Sequence, residues 1–576
     1  MRPIRIANCS GFYGDRLAAA REMVEGGPID VLTGDYLAEL TMLILWRQRA
    51  KRPDAGYAST FLRQLEDVLG TCIERGIRIV SNAGGLNPAG CATAVRALVG
   101  RLGLRATVAH IEGDDLLPQL ADLQAAGHEL AHLDTGKPLA TAGVEPVTAN
   151  AYLGGWGIAA ALDAGADVVV CPRVTDASLV VGPAAWWHGW RRDDWDRLAG
   201  AVVAGHVLEC GAQTTGGNYA FFREVPGLDH PGFPLAEVDG DGSSVITKHP
   251  GTGGLVSIGT VTAQLLYEIA GPAYTNPDVV ARFDTIELAA DSPDRVRIRR
   301  LRGEPAPATT KVCINYLGGW RNSVTFVLTG LDLDAKAELA QQTLVDALGG
   351  DDAFESVDVT RTGTDDGALL RITVKDADPE RIGRRFSNVA VEMALASYPG
   401  FHLTAPPADA SPYGVYWPAL VPSDAVPHVV VLDDGTRIDV APTSAEPAPL
   451  EVEPPLVPPP PGGPAEARPL GTIIGARSGD KGGNANVGLW ARTPAAYAWL
   501  AATMTVERFR ALVPDAATLP IERYELPNLL ALNFVVIGLL GEGVASSTRA
   551  DPQAKALGEQ LRAQTVDIPT VLGNRG

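Results

Sequence analysis

The chain has 576 residues, which at about 100–200 residues per domain implies several domains and more than one core. With 46% hydrophobic and 20% charged residues, 63 glycines and 43 prolines, its composition is that of a globular protein and excludes a disordered, collagenous or coiled-coil chain. Lys and Arg number 48 against 68 Asp and Glu, a formal charge of −20, and such a field repels nucleic-acid backbones and anionic lipid. No nucleic-acid or membrane partner is therefore expected.

Six cysteines (Cys9, Cys72, Cys91, Cys171, Cys210 and Cys313) lie far apart with no CxxC pair, against a disulfide framework or structural zinc. No leader-type apolar segment and no apolar run long enough to span a membrane occurs, so the expected location is a reducing cytoplasm.

The first third alternates short apolar runs with amphipathic stretches, the pattern of a mostly parallel, Rossmann-like α/β sheet with helices on both faces. Strands are predicted at Ile4–Asn8, Asp30–Thr33, Arg78–Ser81, Arg105–His110 and Asp167–Cys171. Helices are predicted at Arg16–Val24, Tyr57–Arg75, Ala89–Leu102, Leu116–Ala126 and Trp156–Ala164. In Tyr57–Arg75, Phe61, Leu62, Leu65, Val68, Leu69 and Cys72 mark one buried face and Gly76 the stop. These strands fit both an open sheet and the start of a barrel, residues 150–330 do not choose between them, and the open sheet is the preferred form.

From Val202 to Tyr274 the chain turns Gly- and Thr-rich, and loops with short strands are expected. Lys311–Asp439 reads as an α+β region, with strands at Val312–Tyr316, Ser323–Val327 and Leu369–Val374 and helices at Ala335–Leu348 and Pro379–Leu395. Ala441–Leu470 carries eleven prolines in thirty residues and suits an extended spacer. Beyond it lies a last α/β unit, with strands near Thr472–Gly475 and Leu529–Leu540 and helices at Ala495–Met504 and Pro552–Ala563. The expected division is a core domain over 1–310, its α+β extension over 311–440, a linker over 441–470 and a separate domain over 471–576.

In a parallel sheet, ligands gather beyond the carboxyl ends of the strands. The predicted turns there bring Ser10, Gly11 and Asp15, then Asp35, Asn82 and Asn87, then His110, Glu112 and Asp114, then Arg173 and Asp176 toward one crevice. Helix capping and turn bonding compete for Asp15, Asp114 and Asp176. Neither GxGxxG nor a Gly-Lys-Ser/Thr loop is present, so dinucleotide and P-loop readings are rejected. Two further Gly-rich segments can cradle an anion with backbone amides and a lysine. One holds Lys248, Gly253 and Gly254; the other holds Arg477, Ser478, Asp480, Lys481 and Asn484. His206 and Cys210 have zinc-like spacing but supply too few ligands, and Glu209 between them is an acid/base candidate. No GxSxG elbow occurs. Trp186, Trp187, Trp190 and Trp195 read first as a helix anchored on the core and second as a partner interface.

Ser10–Arg16, Gly56-Tyr57, Asn150–Gly154, Gly205–Gly217 and Val245–Val256 together resemble the acyclic terpene utilisation protein AtuA family, and Arg477–Gly488 resembles the ferredoxin-like domain often fused to it. The resemblance covers nearly the whole chain except the proline-rich linker. It implies a ferredoxin-like fold for the last domain and a setting in citronellol, geraniol and branched acyl-CoA catabolism. It brings no agreed catalytic residues.

The leading expectation is an enzyme that hydrates, dehydrates or cleaves a branched or terpenoid acyl-CoA or related carboxylate. Asp35, Glu112, Asp176 and Glu209 are its acid/base candidates; Asn82, Asn87, Asn150 and the glycine turns donate to an oxyanion; Arg173, Lys248 and Lys481 hold phosphate or carboxylate. No cofactor is expected, CoA entering only as part of the substrate, and a homo-oligomer is compatible. The alternative is a non-catalytic subunit of a neighbouring carboxylase or hydratase, with the linker and last domain as docking arm. Metal-dependent hydrolysis through His206 or His110 ranks last.

Overall fold

The computed structural model describes residues 2–350, 353–364, 366–443 and 445–573. Two compact units form. The first comprises Met1–Ile314, Trp417–Leu539 and Gln553–Gly576; the second comprises Asn315–Tyr416 and Leu540–Pro552.

The first unit is built on an open sheet of eleven strands. At its centre Ile4–Asn8, Val31–Gly34, Arg78–Ser81, Val168–Val170 and Val108–Glu112 pair in that order, all parallel. These are the five predicted runs, within a few residues. The remaining six strands extend both edges and pair antiparallel. A mostly parallel, Rossmann-like sheet is thus not what forms; across the chain the sheets are largely antiparallel. The physical reason is connection length. Pro234–Val238 with Ser244–Lys248, Glu287–Ser292 with Arg295–Arg299, and Val429–Val431 with Arg437–Asp439 are hairpins, whose short turns permit only antiparallel pairing.

Both faces of the parallel centre are covered. Ala7, Leu32, Ile79, Val108 and Val168 pack in one cluster with Phe61, Leu65, Val68, Leu69 and Cys72 of the helix Ser59–Arg75. Their neighbours along each strand, Ile6, Val31, Val80, Ala109 and Val169, are buried too, as strands sandwiched between helix layers require. Gly76, with φ of 67°, ends Ser59–Arg75 in the left-handed cap expected of it. Asn87 caps the helix Pro88–Arg101, its Oδ1 accepting from Gly90 N at 2.9 Å ahead of a proline at the first turn.

Val202–Tyr274 is more helical than expected. The helix Trp195–Leu208 enters it with every residue from Leu198 onward buried, and Ile258–Leu265 follows. A helix that is apolar all round has no amphipathic period to betray it. Its glycines permit the burial: a Cβ on Gly200 would stand 2.0 Å from the Gly242 carbonyl oxygen, and one on Gly205 2.7 Å from Ala177 Cα.

In the second unit Ser356–Gly363, Gly367–Asp376, part of the long strand Thr309–Thr329 and His402–Leu403 form an antiparallel sheet. Leu333–Leu348 and Arg384–Glu392 pack on it around Phe326, Ile372 and Phe386. The single helix predicted at Pro379–Leu395 is broken at Gly383.

Within the first unit, Ile474–Lys481, Asn484–Ala491, Ala531–Val536 and Ile521–Leu526 make a four-stranded antiparallel sheet. The proline-rich stretch before it holds no helix or strand before Ala465, among the described residues. It is nevertheless bound to the core, Arg192 Nη1 donating to Ala441 O at 2.7 Å and Leu450 N to Glu304 Oε1 at 3.0 Å. No helix among the described residues is long and apolar enough to cross a membrane.

Candidate functional site

The ends of the parallel strands place the site. Beyond Ile4–Asn8, Asn8 Nδ2 donates to Leu208 O at 2.6 Å and so ties down the end of the buried helix that carries Glu209. The following loop packs on that point, since a Cβ on Gly11 would lie 2.9 Å from Glu209 O. Asp15 shapes the loop, accepting from Gly11 N and Arg16 N at 2.8 Å each. Ser10 is fully buried; its hydroxyl donates to Phe12 O at 3.0 Å, and its carbonyl receives Asp35 N at 2.9 Å. Ser10, Gly11 and Asp15 therefore build the wall of the site.

Asp35, beyond the second parallel strand, accepts from Asn82 Nδ2 at 2.6 Å and Leu37 N at 3.1 Å, while Asn82 Oδ1 accepts from Tyr36 N at 2.8 Å. Arg173, beyond Val168–Val170, is 3% exposed; its Nη1 donates to Asp176 Oδ1 at 2.9 Å and Leu37 O at 3.1 Å, and its guanidinium stacks 4.2 Å over the Tyr152 ring. Asp114 receives both Asn150 Nδ2, at 2.7 Å, and Arg173 N, at 3.2 Å. Tyr152 in turn donates to Glu39 at 2.9 Å, and Lys311 stands 3.4 Å from the same carboxylate.

Glu209 lies with Oε1 3.1 Å from Nδ1 of the wholly buried His206, and its Oε2 has no protein partner. The C-terminal hairpin closes this side. Asn486 donates to Leu266 O at 2.8 Å and accepts from Glu268 N at 2.8 Å, Asn533 donates to Ala270 O at 2.7 Å, and Lys481 Nζ donates to Glu268 O at 2.9 Å. Glu268 is itself left-handed, with φ of 57°, a conformation costly for a non-glycine residue and held by these bonds. Gly488 faces Leu266 so closely that a Cβ would lie 2.5 Å from Leu266 Cβ. Gly488→Ala is expected to cost about 1–3 kcal/mol by forcing this contact apart, measured by urea denaturation; wild-type stability would disprove the packing argument.

Asp35, Glu39, Asp176, Glu209, Glu268 and Asp480 thus act on one another, with Arg173, Lys311 and Lys481 as the cations among them. Burial, and then the charge of Asp176, holds the Asp35 and Glu209 carboxyls well above their usual range. Asp176 is raised by burial against the pull of Arg173. Burial and the neighbouring Asp480 push Glu268 up to about 8, and burial with Glu39 pushes Asp480 to about 6. For Glu39 burial acts upward, but Lys311 and Arg173 outweigh it and bring the carboxyl to about 2. Burial and Lys311 lower the Lys481 ammonium to about 8, and burial lowers His206 to about 4. Near neutral pH the site holds bound protons beside charged carboxylates, the arrangement acid/base catalysis uses.

These shifts set a pH dependence. Glu268, at about 8, and Asp114, raised by burial to about 7, bind protons in the fold that the unfolded chain releases near pH 4, so their contribution is lost as pH rises through those values. The lowered histidines act below pH 6.5 and Lys481 above pH 8. The melting temperature is therefore expected to fall between pH 6.5 and 8, the reverse of a salt-bridged carboxylate; a shallower fall in Glu268→Gln than in wild type would assign part of the effect to Glu268.

Other predicted residues stay outside this set. Glu112 is paired with His110 Nε2 at 2.9 Å and Arg437 at 3.0 Å, and both partners help lower its pKa, so it is no resting general acid. Asn87 is the helix cap described above and also donates to Asp54 O and Ala55 O. Lys248 is held by Asp294 at 3.1 Å and Thr252 O at 2.8 Å. Gly253 and Gly254 make room for the carbonyls of Gly227 and Thr215. Arg477 to Asn486 is a hairpin rather than an open cradle. In it Arg477 bonds Gln213 and stacks on Tyr267, Ser478 bonds Lys555 O, and Asn484 bonds Asp134 at 2.7 Å. Glu39, Tyr152, Lys311 and Glu268 are members that sequence reasoning missed. Among the described residues no His, Cys, Asp and Glu side chains group as a metal site, and all six cysteines are free. Trp190 is buried and Trp186, Trp187 and Trp195 partly so, as a core-anchored segment requires.

Searches of curated proteins and of solved structures return no match. Two family models do match: the acyclic terpene utilisation family protein AtuA over residues 4–432 and the AtuA ferredoxin-like domain over residues 468–567. The first spans the strand-end residues and the second the hairpin that brings Asp480 and Lys481 to them. The chain belongs to the acyclic terpene utilisation AtuA family.

Proposed function

We propose that this protein is an enzyme of acyclic terpenoid breakdown that moves protons on a branched acyl-CoA thioester or related carboxylate, as a hydratase or carbon–carbon lyase. The observation that carries the reading is the set Asp35, Asp176, Glu209 and Glu268, four carboxyls raised by burial and by neighbouring carboxylates, with the buried Arg173 acting on the first three.

Such reactions need one group that takes a proton from carbon, one that gives a proton to the departing oxygen or carbon, and a cation for the developing enolate. Glu209, its carboxyl held well above the usual range by burial and by Asp176 and its Oε2 free, is the proton donor. Asp176, bonded to Arg173 and 31% exposed, is the base that meets substrate. Asp35, locked by Asn82, feels the charge of both Asp176 and Glu209. Lys311 and Lys481 attract the carboxylate or thioester oxygen. No cofactor is required for this chemistry.

The test is mass-spectrometric turnover of a panel of branched acyl-CoAs and their free acids by the pure full-length protein. Product formation that fails in Glu209→Gln supports the reading. No product from any of them, with the protein folded and at micromolar concentration over hours, overturns it.

A further inference from the structure

Three lysines meet carboxylate-rich surroundings in the first unit, and their amines are held differently. Lys248 ends in an ion pair with Asp294 at 3.1 Å, and Lys311 stands 3.4 Å from Glu39. Lys481 Nζ makes one hydrogen bond, to the main-chain Glu268 O at 2.9 Å, and has no carboxylate within 4 Å among the described residues. Its side chain is half-buried at the hairpin turn, beside Gly482 in the left-handed region. The turn is fixed rather than mobile: Asn484, its register partner, bonds Asp134 at 2.7 Å and Gly538 N at 2.8 Å.

An amine so placed differs from a surface lysine. It has two donor positions unused, a second cation, Lys311, acting on it, and the carboxyls of Glu268, Glu39 and Asp134 around it without direct contact. A neighbouring cation and removal from water both favour the neutral amine, the form that attacks carbonyl carbon. Burial and Lys311 bring Lys481 to about 8, so a sizeable fraction is neutral at physiological pH. The Glu268 carboxyl, at about 8, still carries a proton there.

We infer that Lys481 is a nucleophile that condenses with the ketone or aldehyde carbon of a 3-oxo acid or branched aldehyde. The inference rests on the lyase form of the proposed function and assigns it a carbonyl substrate. The Lys481 nitrogen pair forms the C–N bond as the carbonyl π pair moves to oxygen, which takes a proton from Glu268. The nitrogen gives up a proton, and after a second protonation the oxygen leaves as water, producing the iminium. With a 3-oxo acid, the electron pair of the bond between the α carbon and the carboxylate carbon forms the enamine double bond as the C=N π pair returns to nitrogen and carbon dioxide leaves; a branched aldehyde stops at the iminium. Protonation of the enamine carbon and addition of water return the product ketone and free Lys481. No oxidant or reductant enters.

The experiment uses the full-length protein with acetoacetate, 4-methyl-3-oxopentanoate and 3-methylbutanal, each with cyanoborohydride at pH 7.5, followed by peptide mass spectrometry. The expected result is reductive alkylation of Lys481 at least about tenfold above Lys248 and Lys311, absent at that position in Lys481→Arg. Competitive labelling with acetic anhydride from pH 6 to 10 is expected to show Lys481 reacting with a midpoint near 8. Alkylation of Lys481 no greater than that of the other lysines with all three probes overturns the inference, whatever the labelling midpoint. Acyl-CoA turnover without an adduct leaves the proposed function standing and removes this inference. An adduct without acyl-CoA turnover leaves this inference standing and removes the thioester, but not the carboxylate, from the proposed function.

Discussion

Glu209→Gln is expected to lower turnover of a branched acyl-CoA about 10²–10⁴-fold, the usual loss on removing a general acid or base. The carboxyl is 9% exposed and held well above its normal range by burial and by Asp176. Glutamine copies the shape of the acid but cannot give up a proton. Stability should therefore hold while catalysis falls, a separation that single-turnover mass spectrometry and a thermal melt together measure. Glu112→Gln, which removes an ion pair with Arg437 and alters a hydrogen bond with His110 away from the acid set, should leave turnover unchanged. Wild-type turnover in Glu209→Gln would remove Glu209 from the chemistry.

Arg173→Met is the second large effect, and it falls on the fold. Arg173 is the cation whose charge bears on Asp35, Glu39, Asp176 and Glu209 alike, and it also bonds Leu37 O and stacks on Tyr152. Removing the buried Arg173 is expected to cost about 3–5 kcal/mol, because the carboxyls around it lose the cation that compensates them. That loss should be greatest above pH 7 and shrink as pH falls, since protonating the carboxyls removes the uncompensated charge. Arg173→Met with Asp176→Asn should recover part of it, and a double-mutant cycle in urea reads the coupling. Strict additivity, or a loss independent of pH, would show that Arg173 acts through packing alone.

Much of this site is legible in the amino-acid sequence. Five short apolar runs predict parallel strands, parallel strands share one carboxyl edge, and Asp35, Asn82, Arg173 and Asp176 follow directly from reading that edge. Asn87 could have been read as a helix cap, since a proline follows it and helix periodicity begins there. Glu209 was singled out by its neighbours His206 and Cys210, although the helix that presents it, apolar on all sides, gave no period. The antiparallel edge strands were invisible for another reason: pairing direction depends on which strands meet, and strands as distant as Val108–Glu112 and Val429–Val431 carry no local mark of it.

Sequence alone determined the strand-end residues, the helix stops and the family, because those depend on local periodicity and on motifs in order. The tertiary structure decided which carboxylates share a dielectric environment. Glu112 loses its acid role to Arg437, 325 positions away. Glu39, Lys311 and Glu268 enter the site from segments with no motif of their own, and Asp480 and Lys481 reach it from beyond the proline-rich stretch. Charge interactions act through space at short range, so proximity brought about by folding, and not spacing along the chain, decides which of these groups hold a proton.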